Sequence, residues 1–226
     1  MAGFRLAHLA GFDVETDVRM SADGELVLIH NPTVDETTDG RGEVHGMTLN
    51  QLKRLDAGSW FDAHFAGQRI PTFEELLYLV SEPGGRPVNI AINMKEYPEG
   101  IEERIALLLE RYRMVERAFV FDAERASLER FRILKPPLLR CLSASTKAQY
   151  EAALGDPLGG GLWLGSSIGV TAEMVGAAHE AGQRVFVTLV NEPSTWDFLA
   201  CAGVDGIATD LPFELNRFLK AQGSKE

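Results

Sequence analysis

Cysteine is nearly absent: the chain holds two, Cys141 and Cys201, far apart and each inside an apolar stretch, LLRCLSA and FLACAGV. Two isolated thiols supply no disulfide framework, and without a CxxC pair or a third ligand they make no zinc site. Both read as buried thiols of a protein in a reducing cytoplasm. Positive charge is also scarce, with 22 Lys+Arg against 33 Asp+Glu and a net charge of −11. A phosphate-backbone binder needs a basic face to displace counterions, so nucleic acid is excluded as a partner and an anionic membrane surface is disfavoured. No segment approaches the roughly 18 uninterrupted apolar residues of a membrane helix. The opening MAGFRLAHLAGF is broken by Arg5 and His8 and lacks a small-residue cleavage site, so it does not read as a signal peptide. What is present is a globular composition, 45% hydrophobic and 24% charged over 226 residues. Barrels of about this length fold as one unit, and the whole of 1–226 is expected to be a single domain.

Residues 2–10 place Phe4, Leu6, Leu9 and Ala10 at helical spacing, with Gly11 where a helix would stop. Strand patterns follow at DVETDV (13–18) and LVLIH (26–30), joined across Asp23-Gly24, a strong hairpin signal. Residues 19–70 then read as an inserted hairpin and small lobe, rich in Thr, Gly and Asp, with one short helix near 49–55. The aromatics Trp60, Phe61 and Phe65 are taken as that lobe's own small core. From Pro71 onward, short apolar strands alternate with amphipathic helices, the pattern of a parallel sheet covered by helices. Strands beginning near 13, 88, 118, 138, 161, 184 and 204 make seven βα units, one fewer than a closed eight-stranded barrel. Because a helix precedes the first strand, the missing strand would lie upstream of Met1. An open doubly wound sheet is the alternative.

Alternation along a strand puts Asp13, Glu15 and Asp17 on one face. Three like charges there call for a cation or water, and hard oxygen ligands suit Mg²⁺ or Ca²⁺; a solvated strand face is the plainer reading. A two-residue Asp23-Gly24 turn would set His30 opposite Asp17, with Val18 opposite Ile29 and Met20 opposite Val27. His30 would then stand beside the carboxylates, placed for proton transfer. Asn93 and Lys95 share a face at the C-terminal end of the strand 88–94, the rim where parallel barrels assemble their sites, and Lys95 is a candidate phosphate holder. Thr209 and Asp210 close the last strand and are read as caps for the helix starting at Pro212.

These residues resemble the glycerophosphodiester phosphodiesterases. The resemblance rests on GFDVETDVRMSADGELVLIH (11–30), TTDGRG (37–42), the stretch from Leu55 through GSWF to IPTFEELL (70–77), and GVDGIATDLP (203–212), and it covers essentially the whole chain. It implies an α/β fold, a TIM (β/α)8-type barrel lacking its first strand, with a small insertion after the second strand. It also implies a divalent metal, Mg²⁺ or Ca²⁺, and hydrolysis of deacylated phospholipids to glycerol 3-phosphate and an alcohol. Glu15 and Asp17 match the family's first two metal ligands, His30 its second catalytic histidine, and Lys95 the lysine of its E-x-K motif. In that mechanism the metal polarises the phosphoryl oxygens, Lys95 neutralises charge and His30 exchanges protons.

The chain departs from the family pattern where the chemistry sits. The family's His-Arg-Gly motif, with the other catalytic histidine, falls upstream of Met1. The third metal ligand, a glutamate in the family, is Asn93 here. Asn31 stands where the family writes aspartate, and 188–191 reads Thr-Leu-Val-Asn without the family's aromatic. An amide oxygen coordinates but brings no charge, so metal affinity should fall. Turnover is expected to be impaired, because one acid–base group of two is accounted for. The alternative is a non-catalytic phosphate- or polyol-binding barrel derived from the family. A metal-dependent aldolase or isomerase on the same fold would need a Schiff-base lysine, and no apolar partner is evident for Lys95. The strands at 13–18 and 204–209 are expected to be exposed edges, separated by a gap or covered in a homo-oligomer.

Overall fold

The computed structural model describes residues 1–82, 87–121 and 124–223. In chain order its elements are α1 (Ala2–Ala10), β1 (Val14–Met20), β2 (Leu26–Leu28), α2 (Leu49–Leu52), α3 (Phe73–Ser81), β3 (Ile90–Met94), α4 (Ile101–Arg111), β4 (Ala118–Phe121) and α5 (Arg125–Leu134). There follow β5 (Leu139–Ala144), α6 (Lys147–Ala153), β6 (Gly161–Gly165), α7 (Ala172–Glu180), β7 (Arg184–Thr188), α8 (Pro193–Ala202), β8 (Gly206–Ile207) and α9 (Pro212–Gly223). This is the βα alternation read from the sequence, element for element, with β2 as the extra hairpin strand. Asp122, assigned to the strand AFVFD, lies outside the described residues.

Local chemistry explains the boundaries. Gly11 ends α1 with φ 75°, a left-handed conformation that glycine adopts without the Cβ penalty. Thr48, Thr72 and Thr146 start α2, α3 and α6 with full capping boxes, each threonine paired reciprocally with the Gln or Glu three residues on. In α4, Ile101, Ile105, Leu108 and Leu109 form the buried stripe, and its charged residues share the outer surface with Leu107.

Two compact units divide the chain: 1–120 with 124–138, and 121–123 with 139–226. In the first the strand order is β2-β1-β3-β4, with β1 and β3 parallel from Val14↔Ile90 to Val18↔Met94. β2 covers the far edge of β1 only from Val18 to Met20, so the strand expected to be an exposed edge is half covered. The insertion has its own core of Val27, Ile29, Val34, Val44, Leu52 and Ile70. In the second unit β5, β6, β7 and β8 are successive parallel neighbours. Leu162, Leu164, Val185 and Val187 pack against Val175, Ala178, Trp196 and Leu199 of the helices. On the opposite side chain parity Trp163 stacks on Phe121 at 4.0 Å between ring centroids.

Three expectations change. The hairpin register is Val18↔Leu28, Arg19↔Val27 and Met20↔Leu26, one residue from the predicted one. The cause is the turn. The Ser21 amide donates to the Glu25 carbonyl at 2.9 Å and Gly24 has φ 80°, so the loop has three residues closed by a left-handed glycine rather than two. Asp23 stabilises that loop by accepting from Ser21 Oγ at 2.7 Å and from the Leu49 amide at 2.8 Å. Second, Cys141 is buried, which pushes its thiol pKa up, whereas Cys201 is exposed and not the buried thiol expected. Third, Trp60, Phe61 and Phe65 are 55%, 68% and 37% exposed. They are not the insertion's core, which the aliphatic residues already fill.

The loop that displays these aromatics is tightly built. The Asp56 carboxylate accepts from the amides of Gly58, Ser59 and Gly67 and from Ser59 Oγ, at 2.6–3.0 Å, which holds its pKa far below the usual carboxylate range. A Cβ at Gly58 would lie 1.9 Å from the Phe65 carbonyl oxygen, so the close approach of the two loop arms requires glycine. Because the folded pKa is below the unfolded one of ~3.9, Asp56 contributes fully above that value and the contribution is withdrawn as pH falls toward the folded pKa. Asp56→Asn is therefore expected to speed amide exchange at Gly58 and Gly67 at neutral pH, with the wild-type loop opening only in strong acid. Equal exchange in the two proteins at pH 7 would count against this pinning.

Candidate functional site

The parallel register sets Asp17 beside Asn93 at the C-terminal rim of β1 and β3. Glu15, Asp17 and Arg19 share one face of β1 by its alternation. Lys95 follows β3 directly, and its Nζ lies 3.2 Å from Asp17 Oδ1. Asp17 thus has Asn93 and Lys95 beside it, with Glu15 two residues back on the same face of β1. Asp13, on the same face, is at the other end of β1 and is engaged by Asn89, which donates to it from its amide and side chain at 2.8 and 3.0 Å.

Glu15 still meets water, yet protein crowds its carboxyl. Partial loss of solvent, and next the charge of Asp17, push it up to about 7 against the pull of Lys95. Asn93 is 6% exposed, and its Oδ1 is buried with no hydrogen-bond partner. An orphaned amide oxygen is costly unless something binds it. Two carboxylates with that oxygen form a hard donor set that fits Mg²⁺ or Ca²⁺. Among the described residues no group of three or more His, Cys, Asp or Glu could hold a metal, so a cation bound here would have to draw on Asn93 Oδ1 as well.

His30 is not opposite Asp17. The shifted register gives that position to Ile29, whose amide donates to the Asp17 carbonyl at 3.2 Å, and His30 stands exposed one residue further along. Its Nδ1 is 2.8 Å from Asn31 Oδ1, and Asn31 Nδ2 donates to Glu36 Oε2 at 2.7 Å. Since Asn31 spends its N–H group on Glu36, its oxygen accepts from His30 Nδ1–H. In a neutral ring with that hydrogen bond, Nε2 is the nitrogen left to accept a proton. An asparagine there fixes the tautomer but gives no charge to an imidazolium.

Sequence reasoning passed over two residues that hold the site together. Arg19 is buried and donates from Nε and Nη2 to the His30 carbonyl, at 3.2 and 2.8 Å, and from Nη1 to Glu96 Oε2 at 3.2 Å. Glu96 Oε1 accepts from the Met20 amide at 2.9 Å. One guanidinium therefore ties the backbone of His30 to the residue after Lys95. The signal was present, because Arg19 continues the period-two face of Glu15 and Asp17.

In the second unit Asn191 organises the rim. Its Nδ2 donates to Asp210 Oδ2 at 2.9 Å, and its Oδ1 accepts from Thr209 Oγ1 and the Asp210 amide. Thr209 Oγ1 accepts from the Leu211 amide at 3.1 Å, which closes a turn ahead of α9 rather than capping it, and the Asp210 carboxylate is bound to Asn191.

Comparison with known proteins agrees with the residues. Residues 1–214 match the model of the glycerophosphoryl diester phosphodiesterase family. A glycerophosphodiester phosphodiesterase of Caldanaerobacter subterraneus is 32% identical over 234 residues, covering 99% of this chain and 92% of that protein. One from Bacillus altitudinis is 33% identical over 217 residues, covering 94% and 88%. Among solved structures, an Oleispira antarctica phosphodiesterase in complex with the product sn-glycerol-3-phosphate superposes with a TM-score of 0.83 at 26% identity, over 97% of this chain and 90% of that one. The (β/α)8-type alternation, the paired acids on β1 and the match along almost its entire length together make this chain a member of the glycerophosphoryl diester phosphodiesterase family.

Proposed function

We propose that the chain hydrolyses glycerophosphodiesters to glycerol 3-phosphate and an alcohol, slowly and with a divalent cation. The observation that carries this reading is the placing of Glu15, Asp17, Asn93 and Lys95 on β1 and at the C-terminal end of β3, with the Asn93 amide oxygen buried and unpartnered. Glu15, Asp17 and Asn93 would hold Mg²⁺ or Ca²⁺, which when bound supplies Lewis-acid polarisation of a phosphoryl oxygen. Lys95, whose Nζ lies 3.2 Å from Asp17 Oδ1, would offset the charge of a phosphate bound at this rim. His30 would take a proton from the attacking water and return it to the departing alcohol oxygen as that oxygen's bond to phosphorus breaks. Asn93 brings no charge to the donor set and Asn31 none to the histidine, so turnover should fall below that of relatives. Release of glycerol 3-phosphate from glycerophosphocholine, measured with Mg²⁺, with Ca²⁺ and with chelator, tests the reading. A rate equal to that of the Caldanaerobacter relative would remove the impairment, and a rate indifferent to chelator would remove the cation.

The exposed, displaced position of His30 favours a second reading, a barrel that binds phosphate esters without turning them over. It predicts saturable binding of glycerol 3-phosphate by calorimetry and no product from any diester.

A further inference from the structure

His30 touches Asn31, and what Asn31 touches on its other side decides which end of the amide His30 meets. A carboxamide presents an oxygen and an N–H group of similar shape and opposite hydrogen-bonding sense. Glu36 makes the choice between them. A carboxylate accepts and does not donate, so the end of Asn31 that lies 2.7 Å from Glu36 Oε2 is Nδ2, and Oδ1 is left for His30 Nδ1 at 2.8 Å. Among the described residues, the side chain of Glu36 has Asn31 as its one hydrogen-bond or ion-pair partner. Its charge therefore acts on this amide without a competing cation.

The insertion holds Glu36 in that place. Val34 and Thr38, two residues before and two after it, are buried. The Val34 amide donates to the Gly42 carbonyl at 3.0 Å, Thr38 Oγ1 donates to the Val34 carbonyl at 2.7 Å, and Asp35 Oδ1 accepts from the Gly42 amide at 2.8 Å. Both flanks of Glu36 are fixed by these bonds. Pro32 keeps the backbone of Asn31 out of the helical region, so the other end of the chain of side chains is restrained as well. Groups already ordered lose little further entropy when they bond, which lets exposed side chains keep one geometry.

We propose that Glu36 is a positioning residue for His30: through the Asn31 amide it holds the ring in the Nδ1–H form, with Nε2 as the base, and passes part of its negative charge toward the imidazolium. The inference rests on the role given to His30 in the phosphodiester reading above and adds to it the group that sets the histidine's tautomer. Hydrogen bonds in a chain polarise one another, so an amide oxygen whose N–H is bound to an anion is a stronger acceptor than that of a free amide. The charge that Asn31 itself lacks stands one amide further from the ring.

The test reads the ring nitrogens directly. Long-range proton–nitrogen correlation spectra of isotopically labelled protein, in alkaline buffer where imidazole rings are neutral, distinguish a protonated nitrogen from a bare one. His30→Gln assigns the His30 signals among the five histidines. The wild type is expected to show Nδ1 protonated and Nε2 bare. Glu36→Lys puts a donor where an acceptor was, so Asn31 turns its oxygen to the ammonium and its N–H to the ring, and the two nitrogens should exchange their resonance ranges. Asn31→Asp separates this from a structural effect. A carboxylate there accepts from both neighbours, so Glu36→Lys added to Asn31→Asp should leave Nδ1 protonated. Glu36 is exposed, so the variants should fold, and circular dichroism checks them. A bare Nδ1 in the wild type, or a tautomer that Glu36→Lys leaves unchanged, overturns the proposal. So does the same reversal in the Asn31→Asp background, because the effect would then not pass through Asn31. Where glycerophosphocholine is turned over, kcat should fall by about tenfold in Glu36→Lys, the lower end of what groups orienting metal-bound histidines contribute, and recover in the double variant. The spectra need no substrate, so the two readings fail separately. The expected tautomers without glycerol 3-phosphate release remove hydrolysis alone, whereas release at an unchanged kcat in Glu36→Lys removes the positioning role alone.

Discussion

Replacing Arg19 with methionine is expected to destabilise the protein by about 2–3 kcal/mol, read as a lower urea midpoint. The guanidinium is buried and makes two bonds to one carbonyl and one to Glu96. Methionine fills similar volume but leaves the His30 carbonyl and the Glu96 carboxylate without their partner. Glu96 is 24% exposed, so water recovers part of the loss, which keeps the figure below that of a fully buried pair. Arg19→Lys should fall in between. A point ammonium reaches one of the two acceptors, whereas the planar fork reaches both. The same substitutions should weaken phosphate-ester binding, since they release the backbone of His30 and the segment following Lys95 together. An unchanged midpoint in Arg19→Met, or equal loss in the Met and Lys variants, would show that the fork is not what joins these strands.

Asn93→Glu is expected to raise affinity for Ca²⁺ or Mg²⁺ by tenfold or more while lowering the stability of the metal-free protein. Asp17 is adjacent in register, and its charge already disfavours the ionised form of Glu15. A third carboxylate in that buried place adds repulsion when no cation is present and attraction when one is. Thermal unfolding with chelator and with millimolar Ca²⁺ therefore separates the two effects. The variant should melt below the wild type in chelator and gain more from Ca²⁺ than the wild type does. A variant with the same Ca²⁺-dependent shift as the wild type would mean that Asn93 Oδ1 does not face the cation.

Periodicity carried the fold a long way. Continuous apolar strands and amphipathic helices gave every βα element, because burial on both faces of a parallel sheet leaves a strong pattern. Glu15, Asp17, Asn93 and Lys95 were legible for a related reason: residue parity and the end of a strand are properties of the sequence itself. What failed depended on geometry that one residue can change. Asp-Gly suits a two-residue turn, but Gly24 closes a three-residue loop, and that single step moved His30 off Asp17. The ring cluster was misjudged because apolar composition says nothing of which residues fill a core first, and in the insertion Val34, Val44 and Leu52 fill it. Arg19 was missed because a lone arginine on a strand carries no spacing signal beyond its parity.

The pairing of β1 with β3 sets the order in which the molecule can assemble. Cys141 meets Gly161 and Gly161 meets Arg184, so the second unit closes by short steps, each joining a strand to the next. Val14 instead meets Ile90, and the hairpin, the insertion and α3 must all be looped out before that contact forms. The entropy of closing a loop rises with its length, and non-local strand pairs form late for that reason. Asp17 and Asn93 come together only across this longest closure. A chain released from denaturant should therefore bury its second unit while Asp17 and Asn93 are still apart, and ligand-binding competence should be the last property it regains.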